Sequence, residues 1–146
     1  MQAVQIDELE LFEAWSQSDT GMRVRAGFPI SSGTATKSTA VVYFELEPDE
    51  HLGSHTDSAE EILLILEGKG EATIGEEQAA VQAGTLAVVP ALIPHSVKNV
   101  GEETLRVVGF FSSSTVLSVF DEPLEPFATR YFTTPMIEEE ATVTAA

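Results

Sequence analysis

The amino-acid sequence predicts an all-β fold, built as an antiparallel sandwich or barrel. Residues 39–111 form a series of short apolar runs separated by turn residues. These runs are rich in β-branched and aromatic residues, which fit the pleated surface of a sheet. Their close and regular spacing is typical of sandwiches and barrels. We therefore expect short strands that close around one core.

Short strands are predicted through this region and just after it. The first stops at Pro48 and Asp49, and the second stops at the Gly-Lys-Gly turn of residues 68–70. The predicted strands are 40–46, 62–66, 71–74, 79–82, 86–89, 96–100, 105–111 and 116–120. Because short strands close on themselves to avoid exposed edges, we expect a barrel of roughly six to eleven strands over residues 36–119.

The two ends of the chain carry weaker patterns. Apolar residues in 6–15 fit one face of a helix, and Asp7 and Glu8 would lie favourably near its N-terminus. A short N-terminal helix is therefore predicted. Residues 123–134 are rich in proline and aromatics, which predicts an extended arm over the barrel. The tail from Glu138 has little apolar content and is expected to be frayed.

Length and charge bound the class of protein. The 146 residues fit one domain, and a hydrophobic content of 43% is enough for a core. The chain has no run of about 18 uncharged apolar residues, and its N-terminus carries acids where a signal peptide carries lysines, so a cytoplasmic protein is expected. A formal charge of −17 would repel phosphate backbones and anionic lipids, which argues against nucleic acid or a membrane as partner.

The chain has no cysteine, so any metal must be held by nitrogen and oxygen. Such ligands occur at strand ends. If residues 54–57 are extended, His55 and Asp57 project from the same face, because side chains alternate along a strand. Glu61 opens the next strand, and His95 opens a later one. His55 and Asp57 can thus share one ion, and the polar groups of all four side chains lie above an aliphatic pocket.

The segments that carry these residues, 49–68 and 84–99, resemble the paired motifs of the cupin superfamily. The first family motif reads Gly, five residues, His-x-His, three or four residues, Glu, six residues, Gly. In this sequence His55 takes the first histidine position, while Glu61 and Gly68 fall in step with the pattern. Asp57 stands at the second histidine position.

Two further departures from the motifs concern glycines. Asp49 stands where the first motif opens with glycine. The second motif reads Gly, five residues, Pro-x-Gly, two residues, His, three residues, Asn. The matching residues are Gly84, Pro90, His95 and Asn99, and Leu92 replaces the internal glycine. Two spaced motifs in the correct order are a strong indication of the fold.

The resemblance implies a double-stranded β-helix, or jelly-roll barrel, with a metal inside one mouth. It says little about the reaction. Cupins include dioxygenases, isomerases, epimerases, decarboxylases, lyases, storage proteins and sugar-binding regulatory modules, so a function drawn from this fold alone is an analogy.

Asp57 is the departure with the largest chemical consequence. A carboxylate in place of the second imidazole lowers the formal charge of a three-His, one-Glu site around M²⁺ from +1 to 0. It favours hard oxygen-binding ions, hence Fe²⁺ or Mn²⁺, although Ni²⁺ and Zn²⁺ also suit the remaining ligands. The alternative is that Asp57 is a turn residue in Thr56-Asp57-Ser58, where its side chain bonds to the backbone.

Two other positions leave alternatives open. An uninterrupted strand would turn His51 to the same side as His55, where it could complete the ligand set or act in catalysis, but a bulge at Gly53 would turn it away. An ordinary surface or mouth-lining role for His51 is the other interpretation. Glu61 is a candidate ligand or a catalytic acid or base, and a one-residue slip would exchange it with Glu60.

The leading functional hypothesis is a metal-dependent enzyme with an oxygenase-type, dioxygenase-like oxidoreductase activity on a small organic molecule. Two histidines and one carboxylate are the ligands of non-haem Fe²⁺ oxygenases. The alternatives are a non-catalytic module that binds or senses a small molecule, and a metal-assisted isomerase or lyase. A homodimer is expected, because strands 62–66 and 105–111 are apolar on both faces and need a second cover, either the arm or a partner subunit.

Overall fold

The described part of the chain, residues 1–136 of this computed structural model, folds into two antiparallel six-stranded sheets. The strands of sheet A are β1 (Phe12–Trp15), β2 (Arg23–Ile30), β3 (Ala40–Leu46), β5 (Glu61–Glu67), β8 (Leu86–Val89) and β10 (Leu105–Phe111). The strands of sheet B are β4 (His51–Asp57), β6 (Lys69–Ile74), β7 (Glu77–Gln82), β9 (His95–Asn99), β11 (Val116–Leu124) and β12 (Thr129–Thr134).

The two sheets form the predicted jelly-roll barrel. Sheet A runs in the order β1-β2-β3-β10-β5-β8, and sheet B in the order β12-β11-β4-β9-β6-β7. Alternating side chains produce the core. In β5, for example, Leu63 and Ile65 are buried while Ile62 is 42% exposed. Inward-facing residues of both sheets pack into one main apolar cluster, as expected of two sheets that face each other.

Strands β3, β8 and β10 have the predicted bounds, because their apolar runs end at clear turn residues. Strands β1, β2 and β12 lie outside residues 36–119 and were not predicted. The β2 sequence contains Gly27 and Pro29, which count against a strand. Its pairing with β3 shifts register between Gly27 and Ile30, so the strand includes these residues at an irregularity in the ladder.

The predicted helix over residues 6–15 is wrong. Only a 3₁₀ turn forms, at Ile6–Glu8, and the chain is already extended at Leu9. Residues Phe12–Trp15 form β1, in which Ala14 faces the core and Glu13 pairs with Arg23 on the outside. Pairing with β2 buries the small Ala14 side chain, and this tertiary contact outweighs the loose helical spacing of the apolar residues.

The C-terminal segment is extended, as predicted, but it is not laid over the barrel as a separate arm. Residues 123–124 end β11, and β12 pairs with β11 as the edge strand of sheet B. Leu124 and Phe132 are buried against the core. The tail from Glu138, which was expected to fray, lies outside the described residues. Among residues 1–136, no helix is long and apolar enough to cross a membrane.

The outer face of sheet A carries an exposed apolar row. Ile62 lies between Val88 of β8 and Phe110 of β10, and all three side chains are exposed. The C-terminal segment belongs to sheet B and leaves this row uncovered. Homodimerisation therefore stays a prediction. Light scattering is expected to give about twice the monomer mass of 15.7 kDa, and a monomer at all concentrations would contradict it.

Candidate metal centre

Four buried side chains meet inside the barrel. His55 and Asp57 lie on β4, and His95 is the first residue of the neighbouring β9. His55 and His95 are direct cross-strand partners, and their ring centroids are 4.1 Å apart. Glu61, the first residue of β5, approaches from sheet A. The structure thus brings together all four predicted ligands, two strands of one sheet supplying three and the facing sheet the fourth.

Three of the four side chains form the tighter group. One potential ligand atom each from His55, Asp57 and His95 lies within 4.8 Å of the others. The Asp57 Oδ2 atom is 3.0 Å from His95 Nε2 and 3.8 Å from His55 Nε2. Glu61 Oε1 is 3.6 Å from His95 Nε2 but lies outside this group. The geometry therefore offers two imidazoles and one carboxylate, with a second carboxylate beside them.

Backbone contacts orient both imidazoles. His55 Nδ1 is 2.8 Å from the Gly53 carbonyl oxygen, and His95 Nδ1 is 2.9 Å from that of Ile93. Because a carbonyl oxygen only accepts, each Nδ1 must carry the proton and donate it. The Nε2 lone pair of each ring is then free for a metal in the neutral tautomer. A second ring nitrogen held in this way is the usual arrangement of metal-binding histidines.

The two oxygen atoms of the Asp57 carboxylate have different environments. Its Oδ1 accepts a hydrogen bond of 2.6 Å from the Ser118 hydroxyl on β11. Its Oδ2 is buried and has no hydrogen-bond partner, and neither oxygen bonds to the backbone of its own turn. The side-chain geometry therefore differs from that of a turn residue. A ligand role for Asp57 stays a prediction.

Two buried atoms in this centre need a partner. Asp57 Oδ2 and His95 Nε2 make no hydrogen bond among residues 1–136, since their 3.0 Å approach does not have hydrogen-bond geometry. Leaving a buried polar atom unsatisfied costs about 1–3 kcal/mol, and more for a charged group. A divalent ion bound to both atoms would remove this cost. The donor set of nitrogen and carboxylate oxygen fits Fe²⁺ or Mn²⁺.

The charges of the four groups are coupled. Burial, together with the nearby His95, lowers the pKa of His55 to about 4. Burial also lowers the pKa of His95, but the Asp57 and Glu61 carboxylates outweigh it and raise that pKa to about 10. Burial raises the pKa of Glu61, with a contribution from the charge of Asp57. For Asp57 the effect of burial is overcome by the two imidazoles and the Ser118 hydroxyl, which lower its pKa.

The structure distinguishes Glu61 from its neighbour. Glu61 is 3% exposed and faces the centre, whereas Glu60 is exposed. Glu61 fits against β10 because Gly109 has no side chain. A Cβ atom at Gly109 would collide with Glu61 Oε2 and would lie 2.9 Å from Val42 Cγ1.

We expect Gly109→Ala to displace the Glu61 carboxylate and to lower the free energy of unfolding by about 1–3 kcal/mol, as overpacking does. Urea unfolding would measure the change, and Mn²⁺ titration would report whether the displacement affects the metal. Gly27→Ala is the control, because its Cβ would meet the flexible end of Leu11 at 3.2 Å and the Glu10 carbonyl oxygen at an ordinary contact distance of 3.8 Å. Equal stability of the two variants would contradict the tight approach at Gly109.

His51 lies away from the four side chains. The pairing of β4 with β9 shifts register between Leu52 and His55, and both of these residues are buried although they are three apart. The irregularity turns His51 outward, where its Nε2 is 2.7 Å from Asp19 Oδ2. The bulge considered at Gly53 is therefore present, and a catalytic role for His51 is not supported by its position.

The two positions that depart from motif glycines have the backbone conformation of glycine. Asp49 has a φ of 71° and Leu92 a φ of 65°. This left-handed conformation is strained for residues with a Cβ atom. Asn99, which matches its motif, has a structural role, since its side chain bonds to the backbone of Leu46, Gly101 and Glu103.

Replacing Leu92 by glycine is expected to raise the free energy of unfolding by roughly 0.5–1 kcal/mol, because the strain is relieved and little burial is lost. The Leu92 side chain is 67% exposed. Thermal and urea unfolding would measure the gain. The neighbouring Ile93→Gly serves as the control and should destabilise the protein. A loss of stability in Leu92→Gly would contradict the argument from strain.

Two residues that shape the centre were not singled out in the sequence. Gly109 could have been noticed, because an isolated glycine inside a strand often marks a close approach. Ser118 could not, since its contact with Asp57 follows from the pairing of β11 with β4.

The four side chains lie at the wall of a cavity of about 70 Å³ between the sheets. Its remaining wall consists of apolar residues and Ser118. The cavity therefore has polar groups only at the candidate centre, and apolar side chains form the rest of its wall.

Comparison with known proteins agrees with this architecture. Residues 42–111 match the family model described as "Cupin domain". Among curated proteins, the uncharacterized protein MJ1618 of Methanocaldococcus jannaschii is 35% identical over 51 residues, which is 35% of this chain and 41% of that protein. The chain thus spans less than half of that relative.

Solved structures show the same fold. The oxalate decarboxylase of Lactobacillus farciminis, in a formate complex, has a TM-score of 0.68 and 17% identity over 80% of this chain and 34% of its own. A candidate sugar phosphate isomerase of Acidithiobacillus ferrooxidans has a TM-score of 0.60 and 20% identity, over 79% of this chain and 76% of the isomerase. The Bacillus subtilis oxalate decarboxylase, described with Mn(II) centres, has a TM-score of 0.61 and 22% identity, over 73% of this chain and 30% of the decarboxylase. At these identities the likeness concerns the fold alone.

Proposed function

Because residues 42–111 of this chain form a cupin domain, we propose that the protein is a metal-dependent enzyme with an oxygenase-type activity on a small organic molecule. One observation carries the proposal. Two imidazoles, each held at Nδ1 by a carbonyl oxygen, and one buried carboxylate oxygen without a hydrogen-bond partner converge within 4.8 Å. Two histidines and one carboxylate on one face are the ligands of non-haem Fe²⁺ oxygenases.

In this proposal His55, His95 and Asp57 hold one divalent ion. Fe²⁺ or Mn²⁺ is preferred, and Ni²⁺ and Zn²⁺ are the alternatives. Manganese is supported by the Mn(II) centres of the Bacillus subtilis oxalate decarboxylase, which shares the fold. A bound redox ion would supply the chemistry with O₂. The protein orients the two rings through the Gly53 and Ile93 carbonyls and fixes the Asp57 carboxylate through Ser118. Cytoplasmic location stays a prediction.

Glu61 supports a second candidate, a metal-assisted isomerase or lyase. Its carboxylate lies beside the three-residue group rather than in it, and burial raises its pKa. A carboxylic acid in this position can hold or release a proton near a bound substrate. In the oxygenase, by contrast, Glu61 would complete the ligand set or remain a spectator.

The test is elemental analysis of the untagged protein, purified without added metal and again after reconstitution. We expect one iron or manganese ion per chain. Nitric oxide, a surrogate for O₂, should then bind to the Fe²⁺-loaded protein and give an electron paramagnetic resonance signal, because two imidazoles and a carboxylate leave positions open. Stoichiometric Zn²⁺ without nitric oxide binding would favour the isomerase or lyase. No metal after reconstitution would contradict a metal-dependent enzyme and would favour a binding module.

A further inference from the structure

The wall of the cavity indicates which molecules the centre can accept. Apart from Ser118 and the four candidate ligands, every residue that lines it has an apolar side chain. Phenylalanine is the main contributor. The lining phenylalanines are Phe12, Phe28, Phe44, Phe111, Phe120 and Phe132.

Four of these rings, together with Phe127, form a continuous series of ring contacts that begins at the centre. The Phe120 ring stacks on the His55 imidazole at a centroid distance of 4.5 Å. Further contacts, at 5.6 or 5.7 Å, join Phe120 to Phe132, Phe132 to Phe127, Phe127 to Phe12 and Phe12 to Phe28. Phe127 is 37% exposed, so this series of contacts ends at the surface. A molecule bound in the cavity therefore meets aromatic surface beside the centre.

Lysine and arginine side chains are missing from this wall. All seven lysine and arginine residues of the chain fall within residues 1–136, and none of them lines the cavity. Arg23 and Arg25 alternate with the lining residues Val24 and Ala26, so they point outward, where they pair with glutamates. Arg106 is likewise paired outside, with Asp7 and Glu67. Arg130 and the three lysines are exposed.

The centre itself gives an anion little attraction. The charge of one divalent ion is cancelled by the Asp57 and Glu61 carboxylates when both are ionised. An anionic ligand would therefore lose its hydration inside an apolar cavity without a net opposite charge to replace it. The chain's charge of −17 would also repel it during approach.

We infer that the site takes a small uncharged organic molecule, with one oxygen donor directed at the metal and an apolar body against the phenylalanine rings, and that it rejects carboxylates and phosphates. This inference rests on the proposed function, since it concerns the same centre. The cavity volume of about 70 Å³ is roughly half that of a 150 Å³ apolar cavity that binds benzene. The ligand should therefore have fewer non-hydrogen atoms than benzene.

The experiment compares butan-2-one with propanoate, which have similar size and shape and differ in charge. Manganese content is measured first. Binding of each compound to the Mn²⁺-loaded protein is then followed by water-proton relaxation and calorimetry. We expect the ketone to bind at least about tenfold more tightly, because only the carboxylate loses hydration without compensation. Equal or tighter binding of propanoate would overturn the inference.

The same pair is compared on metal-free protein by ligand-observed NMR, where the ketone should again be preferred because the wall is unchanged. If Mn²⁺ does not bind, the proposed function fails, but this comparison still tests whether the apolar wall prefers the ketone to the carboxylate. If Mn²⁺ binds and propanoate is preferred in both states, the inference fails and the metal-dependent function stands.

A pair of variants tests the reason for the preference. Phe28 lines the cavity and is only half-buried, so Phe28→Lys can pack its stem on the wall while the amine reaches water. We expect propanoate affinity to rise about tenfold in this variant and to stay unchanged in Phe28→Met, the uncharged control. Equal propanoate affinity in the two folded variants would contradict the role of the missing cation. If Phe28→Lys does not fold, the comparison of butan-2-one with propanoate on the unchanged protein still decides whether the site rejects carboxylates.

Discussion

Replacing His95 by alanine is expected to weaken Mn²⁺ binding by more than about 100-fold, beyond the range for residues that only support a ligand. His95 Nε2 lies 3.0 Å from Asp57 Oδ2 and 3.6 Å from Glu61 Oε1, while its Nδ1 is held by the Ile93 carbonyl oxygen. The variant removes this donor from the middle of the group. At 100 times its dissociation constant, Mn²⁺ should stabilise the unchanged protein by about 2.7 kcal/mol, and the variant should gain almost nothing.

The chain offers a matched control, since it has three histidines. His51→Ala removes a ring that pairs with Asp19 outside the centre, so its Mn²⁺ affinity should match that of the unchanged protein. His95→Ala also leaves the buried Asp57 carboxylate without its nearest imidazole, which can cost about 3–5 kcal/mol of stability. His95→Gln keeps a polar side chain there and replaces the alanine variant if that one unfolds. Normal Mn²⁺ binding in either folded His95 variant would rule out the proposed centre.

Asp57→His is expected to retain a metal but to change which ion is preferred. If Asp57 is a ligand, the substitution exchanges a carboxylate for an imidazole and raises the charge of the loaded site by one. Affinity should then shift from Mn²⁺ toward Ni²⁺ and Zn²⁺, because nitrogen ligands favour the later ions of the Irving–Williams order. A shift of at least about tenfold in the Ni²⁺ to Mn²⁺ affinity ratio is expected, measured by competition titration.

Asp57→Asn separates the ligand role from the turn role. Asparagine preserves the shape of the side chain and can still accept the hydrogen bond from Ser118, and it is as suitable as aspartate in a turn. It lacks the charge that a metal requires, so Mn²⁺ affinity should fall about as far as in the His95 variants. If Asp57 were only a turn residue, both substitutions would leave metal affinity and selectivity unchanged, and the three-residue group would no longer explain the site.

Local pattern was sufficient for much of the barrel. The runs that became β3, β8 and β10 have clear ends, and their bounds were predicted without error. Strand β1 was missed because residues 12–15 have aromatic residues three apart, which also fits a helix. Strand β2 was missed because Gly27 and Pro29 interrupt its sequence. Both strands are held by their pairing with each other and with β3, and such pairing does not show in a single segment.

The candidate centre shows the same division. His55 and Asp57 share a face because side chains alternate along β4, so their proximity was predictable from spacing. The position of His51 was not, because a register shift between Leu52 and His55 changes which side of the strand faces inward. Gly53 indicated where such a shift was possible, but only the pairing with β9 shows that it occurs.

By itself the sequence determined the all-β class, the paired motifs, the lack of sulfur ligands and the two histidines and two carboxylates that the barrel brings together. These features depend on residue type and on spacing of a few positions along one strand. The tertiary structure alone decided that Glu61 rather than Glu60 faces the centre, against Gly109, and that Ser118 holds Asp57. It also decided that every lysine and arginine side chain lies outside the phenylalanine-lined cavity. These contacts join residues far apart in the chain, and they follow from register, bulges and the approach of the two sheets rather than from local periodicity.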